Sequence, residues 1–167
     1  SSYLLTGGLG SLGLLVAQYL ATCGAKHLVL TGRSGVSTDD QRNVLHTLKD
    51  AGVKVDVVPA DISNADDVER VLAIARNLRG IVHAAGVLDD GMLMQQNAER
   101  FTKVARPKVD GAWHLHSQTL NQSLDFFVLF SSVASVMGSP GQSNYASANA
   151  FLDGLAHHRK NQGLARP

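Results

Sequence analysis

Cysteine occurs once in this chain of 167 residues, at Cys23. One thiol can neither close an intramolecular disulfide nor build a cysteine zinc site, so a reducing, cytoplasmic setting is expected. Charge of either sign is sparse: Asp, Glu, Lys and Arg together make 17% of the residues and leave a formal net charge of +1. That balance excludes a whole-chain pull toward nucleic acid or an anionic membrane surface. No apolar run approaches the roughly 20 residues that a membrane helix needs. The first residues also lack the basic start and cleavage site of a signal peptide. Repeats, low-complexity tracts and linkers are absent. The seven histidines never form the i, i+4 pair of a helical metal site, so they read as core or surface groups and no metal is expected.

Apolar residues, at 44%, are plentiful enough for a real core, and the length suits a single domain over residues 1–167. Short apolar runs at 3–6, 27–31, 53–58, 80–85 and 124–132 end in turn residues, as buried parallel strands do. Helical stretches lie between them at about 11–23, 38–52, 64–76, a pair spanning about 97–121, and 142–162. Leu12, Leu15, Val16, Tyr19 and Leu20 trace one apolar stripe at helical spacing, and Gly24 ends that helix. This alternation implies βαβ units and a parallel sheet covered on both faces.

Between the first strand and first helix stands TGGLGSLG: Thr6, Gly7, Gly8, Leu9, Gly10, Ser11, Leu12 and Gly13. Gly8-x-Gly10-x-x-Gly13 fits a dinucleotide fingerprint, which makes the fold a Rossmann-type, doubly wound α/β sheet. The glycines permit a tight turn and let backbone approach a pyrophosphate, while the helix start offers free N–H groups. The second strand ends in Arg33 and Ser34 rather than in the carboxylate that would hold a ribose 2′-hydroxyl. A guanidinium favours a 2′-phosphate, so NADPH is the expected cofactor. Asp61 and Ile62, after the third strand, stand where such folds often contact adenine. His83, Ala84, Ala85 and Gly86, after the fourth, pass close to the adenosine ribose.

SPGQSNYASANAFLDG, at 139–154, poses a question. A phenol that ordinarily gives up its proton near pH 10 needs a nearby ammonium to do so near neutrality. Tyr145 is placed to serve as an acid, yet the position one helical turn later holds Asn149. Ser131, Ser132 and Ser135 precede it, and each could instead be a strand-end cap. Lys108 follows Pro107, a natural first helical residue, so a solvated lysine at a helix start is its alternative reading.

Six stretches together, TGGLGSLG, LVLTGRSG, VHAAGVLDDG, PKVDGAWHLH, FFVLFSSVAS and GSPGQSNYASANAFLDGLAHHR, resemble the β-ketoacyl reductase domain of modular polyketide synthases, a branch of the short-chain dehydrogenase/reductase superfamily. The resemblance covers nearly the whole chain in order. It implies that lysine and asparagine have exchanged places, so that Lys108 arrives from the preceding long helix beside Tyr145. It further implies Tyr145 as proton donor and Ser132 as the group polarising the substrate carbonyl. Lys108 would support the phenolate and nicotinamide ribose, with Asn149 orienting Lys108 or a water.

The implied reaction is NADPH-dependent reduction of a β-ketoacyl thioester on an acyl carrier protein, among neighbouring synthase domains. Leu88, Asp89 and Asp90 resemble the signature of the B-type, which yields the D (3R) alcohol. Met137 stands where the other class carries tryptophan, and Pro140 resembles a subgroup handling epimerised α-substituents. Against the family pattern the chain is several residues shorter between VERVLAIA and LRGIVHAAG, which predicts a trimmed helix or loop. The resemblance also implies C-terminal strands and a lid beyond residue 167, and a catalytically silent half before residue 1. Two other readings stand beside it. One is a catalytically idle NADP-binding scaffold, opposed by the intact Ser132, Tyr145, Lys108 and Asn149. The other is an extended-type relative acting on nucleotide sugars, which would want lysine at position 149.

Overall fold

Apolar runs closed by turn residues become five parallel strands of four to six residues in the computed structural model, which describes residues 1–165. They are β1 (Ser2–Thr6), β2 (His27–Gly32), β3 (Lys54–Pro59), β4 (Leu78–His83) and β5 (Phe126–Leu129), in the spatial order β3-β2-β1-β4-β5. Side chains alternate across the sheet. Leu4 of β1 therefore enters one core with Val29, Ile81 and Phe127, while Leu5 enters the other with Leu28, Leu30 and Val82. Burying one such leucine stabilises by about 1.5–3 kcal/mol, so each strand commits to its register.

Helices cover both faces. α1 (Ser11–Thr22) and α2 (Asp39–Asp50) pack on the Leu5 side; α3 (Ala65–Ile74) packs on the Leu4 side. A long helical stretch follows β4 in two parts, α4 (Ala98–Ala105) and α5 (Gly111–Gln118), joined by a π turn at Arg106–Asp110. After β5 come the short α6 (Ala134–Met137) and the long α7 (Ser143–Asn161), whose Leu152 and Leu155 pack on Ala112 of α5. None of the described helices is long and apolar enough to cross a membrane, and the described residues contain no cluster able to hold a metal.

Three expectations are corrected. The α1 stripe is not the buried face: Leu15 and Tyr19 are 62% and 66% exposed, whereas Gly13, Leu14 and Ala17 face the sheet. Small residues are required there because helix and strand approach closely; only Val16 and Leu20 of the stripe reach the core edge. Pro107 is not a helix start either. It sits inside a continuous helix, where the π turn absorbs its missing N–H. β5 covers only Phe126–Leu129 of the expected 124–132, and a short helix, α6, follows at Ala134–Met137 where none was expected. The trimmed region after VERVLAIA becomes a link of three residues, 75–77, between α3 and β4. Asn77 closes it at φ +53°, a left-handed conformation that asparagine tolerates better than most residues.

Candidate active site

β1 is followed by helix and then β2 on one side, while β4 pairs on its other side, so the chain reverses its winding direction between β1 and β4. Ligands of doubly wound sheets bind in the crevice at this switch point. Gly7 turns there at φ +66°, and a Cβ on it would lie 2.8 Å from the backbone of Ala84 and Ala85. A Cβ on Gly13 would lie 2.4 Å from the Gly7 carbonyl oxygen. α2 and α3 begin with side-chain caps from Thr38 and Asn64, but α1 begins at Gly10 with none. Its first N–H groups thus keep their hydrogen-bonding capacity for a ligand. Gly13→Ala is expected to push α1 off the turn, costing about 1–3 kcal/mol of stability together with dinucleotide binding. Thermal unfolding and a cofactor titration measure the two losses.

A cavity of ≈ 650 Å³ opens beside this turn. Of the expected cofactor residues, Gly7, Arg33, Asp61, Ile62, Ala85 and Gly86 line it. Thr6, Leu9 and His83 do not: all three are buried, and Thr6 Oγ1 bonds His83 Nδ1 at 2.6 Å behind the cavity wall. Ser11, Leu12 and Ser34 are exposed. Asp61 accepts hydrogen bonds from the hydroxyl and N–H of Ser63, at 2.7 and 3.0 Å. These bonds, helped by the Arg106 and Arg33 guanidiniums, hold its carboxyl below the usual range. Arg106 lines the cavity too. The sequence offers no sign of it, because Pro107 masks the turn that carries it inward.

Lys108 lies behind the wall formed by Gly86 and Pro107, outside the cavity lining. A Cβ on Gly86 would meet Lys108 Cε at 3.1 Å, so glycine at that place lets the lysine pass beneath. Gly111 N–H reaches back to the Arg106 carbonyl, five residues away, and this wide turn swings Lys108 inward. π turns concentrate at functional sites. Lys108 is 5% exposed; its Nζ donates to the Phe130 carbonyl at 2.9 Å and lies 5.3 Å from the centroid of the Tyr145 ring. Burial pushes its pKa down to about 8. The positive charge missing from position 149 is therefore supplied across the fold.

Asn149 is fully buried; its Nδ2 donates to the Tyr145 carbonyl at 2.8 Å, while Oδ1 has no hydrogen-bond partner. The serine cluster separates by its hydrogen bonds. Ser131 Oγ donates to the Asn149 carbonyl, and Ser135 Oγ to the Ser132 carbonyl and Asp153. Ser132 Oγ instead accepts from the Ala134 N–H at 3.2 Å. Its own hydroxyl hydrogen has no acceptor among the described residues, which leaves it able to donate.

Leu88, Asp89 and Asp90 lie in a loop fastened to α7 and the residue before it. Asn144 Nδ2 donates to the Asp89 carbonyl at 2.8 Å, and Gln142 Nε2 to Asp90 at 3.0 Å. Lys103, 3.0 Å from Asp89, holds that carboxyl below the usual range. Met137 and Pro140 lie in the segment leading into α7, Met137 being exposed.

The site fits a dinucleotide: glycines where a Cβ would collide, an uncapped helix start, and a cavity lined by the Arg33 and Arg106 guanidiniums. Residues 1–166 match the family model of the KR domain. The chain is 44% identical over 170 residues to the phenolphthiocerol synthesis polyketide synthase type I Pks15/1 of Mycobacterium marinum, covering 99% of this chain and 8% of that protein. It is 42% identical to the hybrid PKS-NRPS synthetase pynA of Aspergillus niger, over 98% of this chain and 4% of that protein. An A-type ketoreductase from a modular polyketide synthase superimposes with a TM-score of 0.94 at 41% identity, over 98% of this chain and 35% of that one. An N-terminal ketoreductase from the macrolactin assembly line gives 0.89 at 37% identity, over 100% and 35%.

Proposed function

Because the chain belongs to the KR domain family, the ketoreductases of polyketide synthases, we propose that it reduces the β-keto group of an acyl thioester borne by the phosphopantetheine arm of an acyl carrier protein. The observation that carries this reading is the convergence of Lys108, from the π turn, with Tyr145 of α7. NADPH, when bound, supplies the hydride that reduces the β-carbon. Ser132 donates a hydrogen bond to the carbonyl oxygen and stabilises the charge that grows there. Tyr145 passes its phenolic proton to that oxygen. Lys108, held by the Phe130 carbonyl, offsets the charge left on the phenol. Asn149 ties itself to the Tyr145 backbone and presents a free carbonyl oxygen to the same interior.

Three finer features belong to the proposal. Arg33 on the cavity wall supports NADPH over NADH, since a guanidinium pairs with a 2′-phosphate in bidentate fashion. Leu88-Asp89-Asp90, tied to α7, and Met137 in place of tryptophan support a B-type product of D (3R) configuration. The exposed Leu88, Met92, Leu93, Met94 and Met137 give the region beside the catalytic helix an apolar surface suited to an acyl chain.

The test is incubation of the protein with NADPH and a panel of 3-oxoacyl thioesters, followed by chiral analysis of the alcohols. A 3R product is expected. Absence of any reduction overturns the activity, and a 3S product overturns the B-type assignment. Arg33→Ala is expected to weaken NADPH binding roughly 10- to 100-fold, the worth of a charge-assisted hydrogen bond, with NADH binding changed less than about twofold. Fluorescence titration of both cofactors measures this; an unchanged NADPH preference removes Arg33 from the cofactor assignment.

A further inference from the structure

His83 is a buried titratable group that the reaction does not use. It is 1% exposed at the C-terminal end of β4, and four elements meet around it. Its Nδ1 lies 2.6 Å from Thr6 Oγ1 of β1, and its carbonyl accepts from the Phe130 N–H at 3.0 Å. The Phe130 carbonyl in turn receives the Lys108 ammonium at 2.9 Å. Against the ring stands the start of α5, where a Cβ on Gly111 would lie 3.2 Å from His83 Cε1. The ring also faces the backbone of Pro107 and Lys108. Proline has no N–H, so the group it offers is a carbonyl oxygen. His83 Nε2 is buried and makes no hydrogen bond of normal geometry.

We propose that His83 is a positioning residue for Lys108: as the neutral Nε2–H tautomer, it accepts from Thr6 at Nδ1 and points its N–H at the carbonyls of the π turn. This braces the turn and fixes the height at which the ammonium meets the Phe130 carbonyl and Tyr145. Only histidine among the ring side chains offers an acceptor on one edge and a donor on the other. Burial, with the Lys108 charge beside it, lowers its pKa to about 4, which keeps the ring neutral at working pH. Backbone and side chain thus grip Lys108 from two directions, through Phe130 and through the turn itself. The inference rests on the reductase reading above and refines it.

Two measurements test it. Nitrogen NMR of the imidazole in the unmodified protein reads the tautomer without any turnover. A protonated Nε2 with unprotonated Nδ1 is expected, and the reverse assignment overturns the proposal. In the second, His83→Phe is expected to lower kcat tenfold or more and to move the alkaline limb of the pH–rate profile. KM and NADPH affinity should stay within twofold. His83→Gln, which retains a terminal N–H donor, is expected to recover most of the lost rate. If both variants fold and react like the parent, or if glutamine gives no recovery, His83 does not position Lys108. A parent protein that reduces no thioester speaks against the activity, whereas an active parent with an insensitive position 83 speaks against this inference alone. Should the phenylalanine variant fail to fold, the tautomer assignment still decides.

Discussion

Tyr145→Phe is expected to lower kcat for thioester reduction by about 10²- to 10⁴-fold, the usual worth of a positioned proton donor. The substitution removes one oxygen from a half-buried ring and leaves the helix contacts of residue 145 in place. No hydrogen bond of its hydroxyl to a described residue is present, so stability should change by less than about 0.5 kcal/mol. NADPH affinity should hold within twofold, because the cavity walls from Gly7 to Arg33 are untouched. Loss of rate with intact folding and cofactor binding is the signature of a group acting on the reacting atoms. A phenylalanine variant that retained a tenth or more of the parent rate would show the proton coming from elsewhere.

Lys108→Met should separate catalysis from stability. Methionine preserves much of the aliphatic stem and deletes the charge, so kcat is again expected to fall by about 10²-fold or more. The fold, in contrast, should gain. Burial takes the Lys108 pKa from 10.5 to about 8, so the folded protein disfavours the ammonium that the unfolded chain carries freely. Below pH 8 both states hold the proton and the penalty is complete. Between pH 8 and 10.5 the unfolded chain binds more protons, so stability rises with pH. The hydrogen bond to the Phe130 carbonyl and residual solvent screening reduce the penalty, and a gain of about 1–2 kcal/mol at neutral pH is expected for methionine. Denaturant unfolding at pH 7 and pH 10 tests it, since the variant should lose the alkaline rise. In the parent, the charge disappears as pH passes about 8, so kcat/KM should decline on that side. A methionine variant less stable than the parent would mean that the ammonium is held by more than the Phe130 carbonyl.

Much of this architecture could be read from residue order, because parallel strands buried on both faces leave nearly continuous apolar runs. Gly7 and Gly13 were legible for a similar reason: a backbone that must come within 3 Å of another admits no side chain. Lys108 became legible only through resemblance, since nothing local says that a lysine after proline will be buried. The stripe of Leu12, Leu15 and Tyr19 misled because helical periodicity marks a face without saying which way it turns. Arg106 gave no local signal, and the burial of His83 gave none either, for a deeper reason. Their surroundings are made by residues 20 or more positions away, Asp61 for one and Thr6 for the other. Arg159, near the end of α7, is a parallel case. In the structure it is buried, stacked 3.9 Å from the Phe127 ring centroid and 3.0 Å from His116 Nδ1.

The π turn at Arg106–Asp110 sets one more condition. An α-helix advances about 100° per residue, so adding or removing a single residue there would put the helix before it out of phase with the helix after it. Val104 and Leu115, buried on either side, could not both keep their places. Spacing in this segment is thus under tighter control than composition: side chains can be exchanged one at a time, but a shift of frame would disconnect the amine from the phenol in one step.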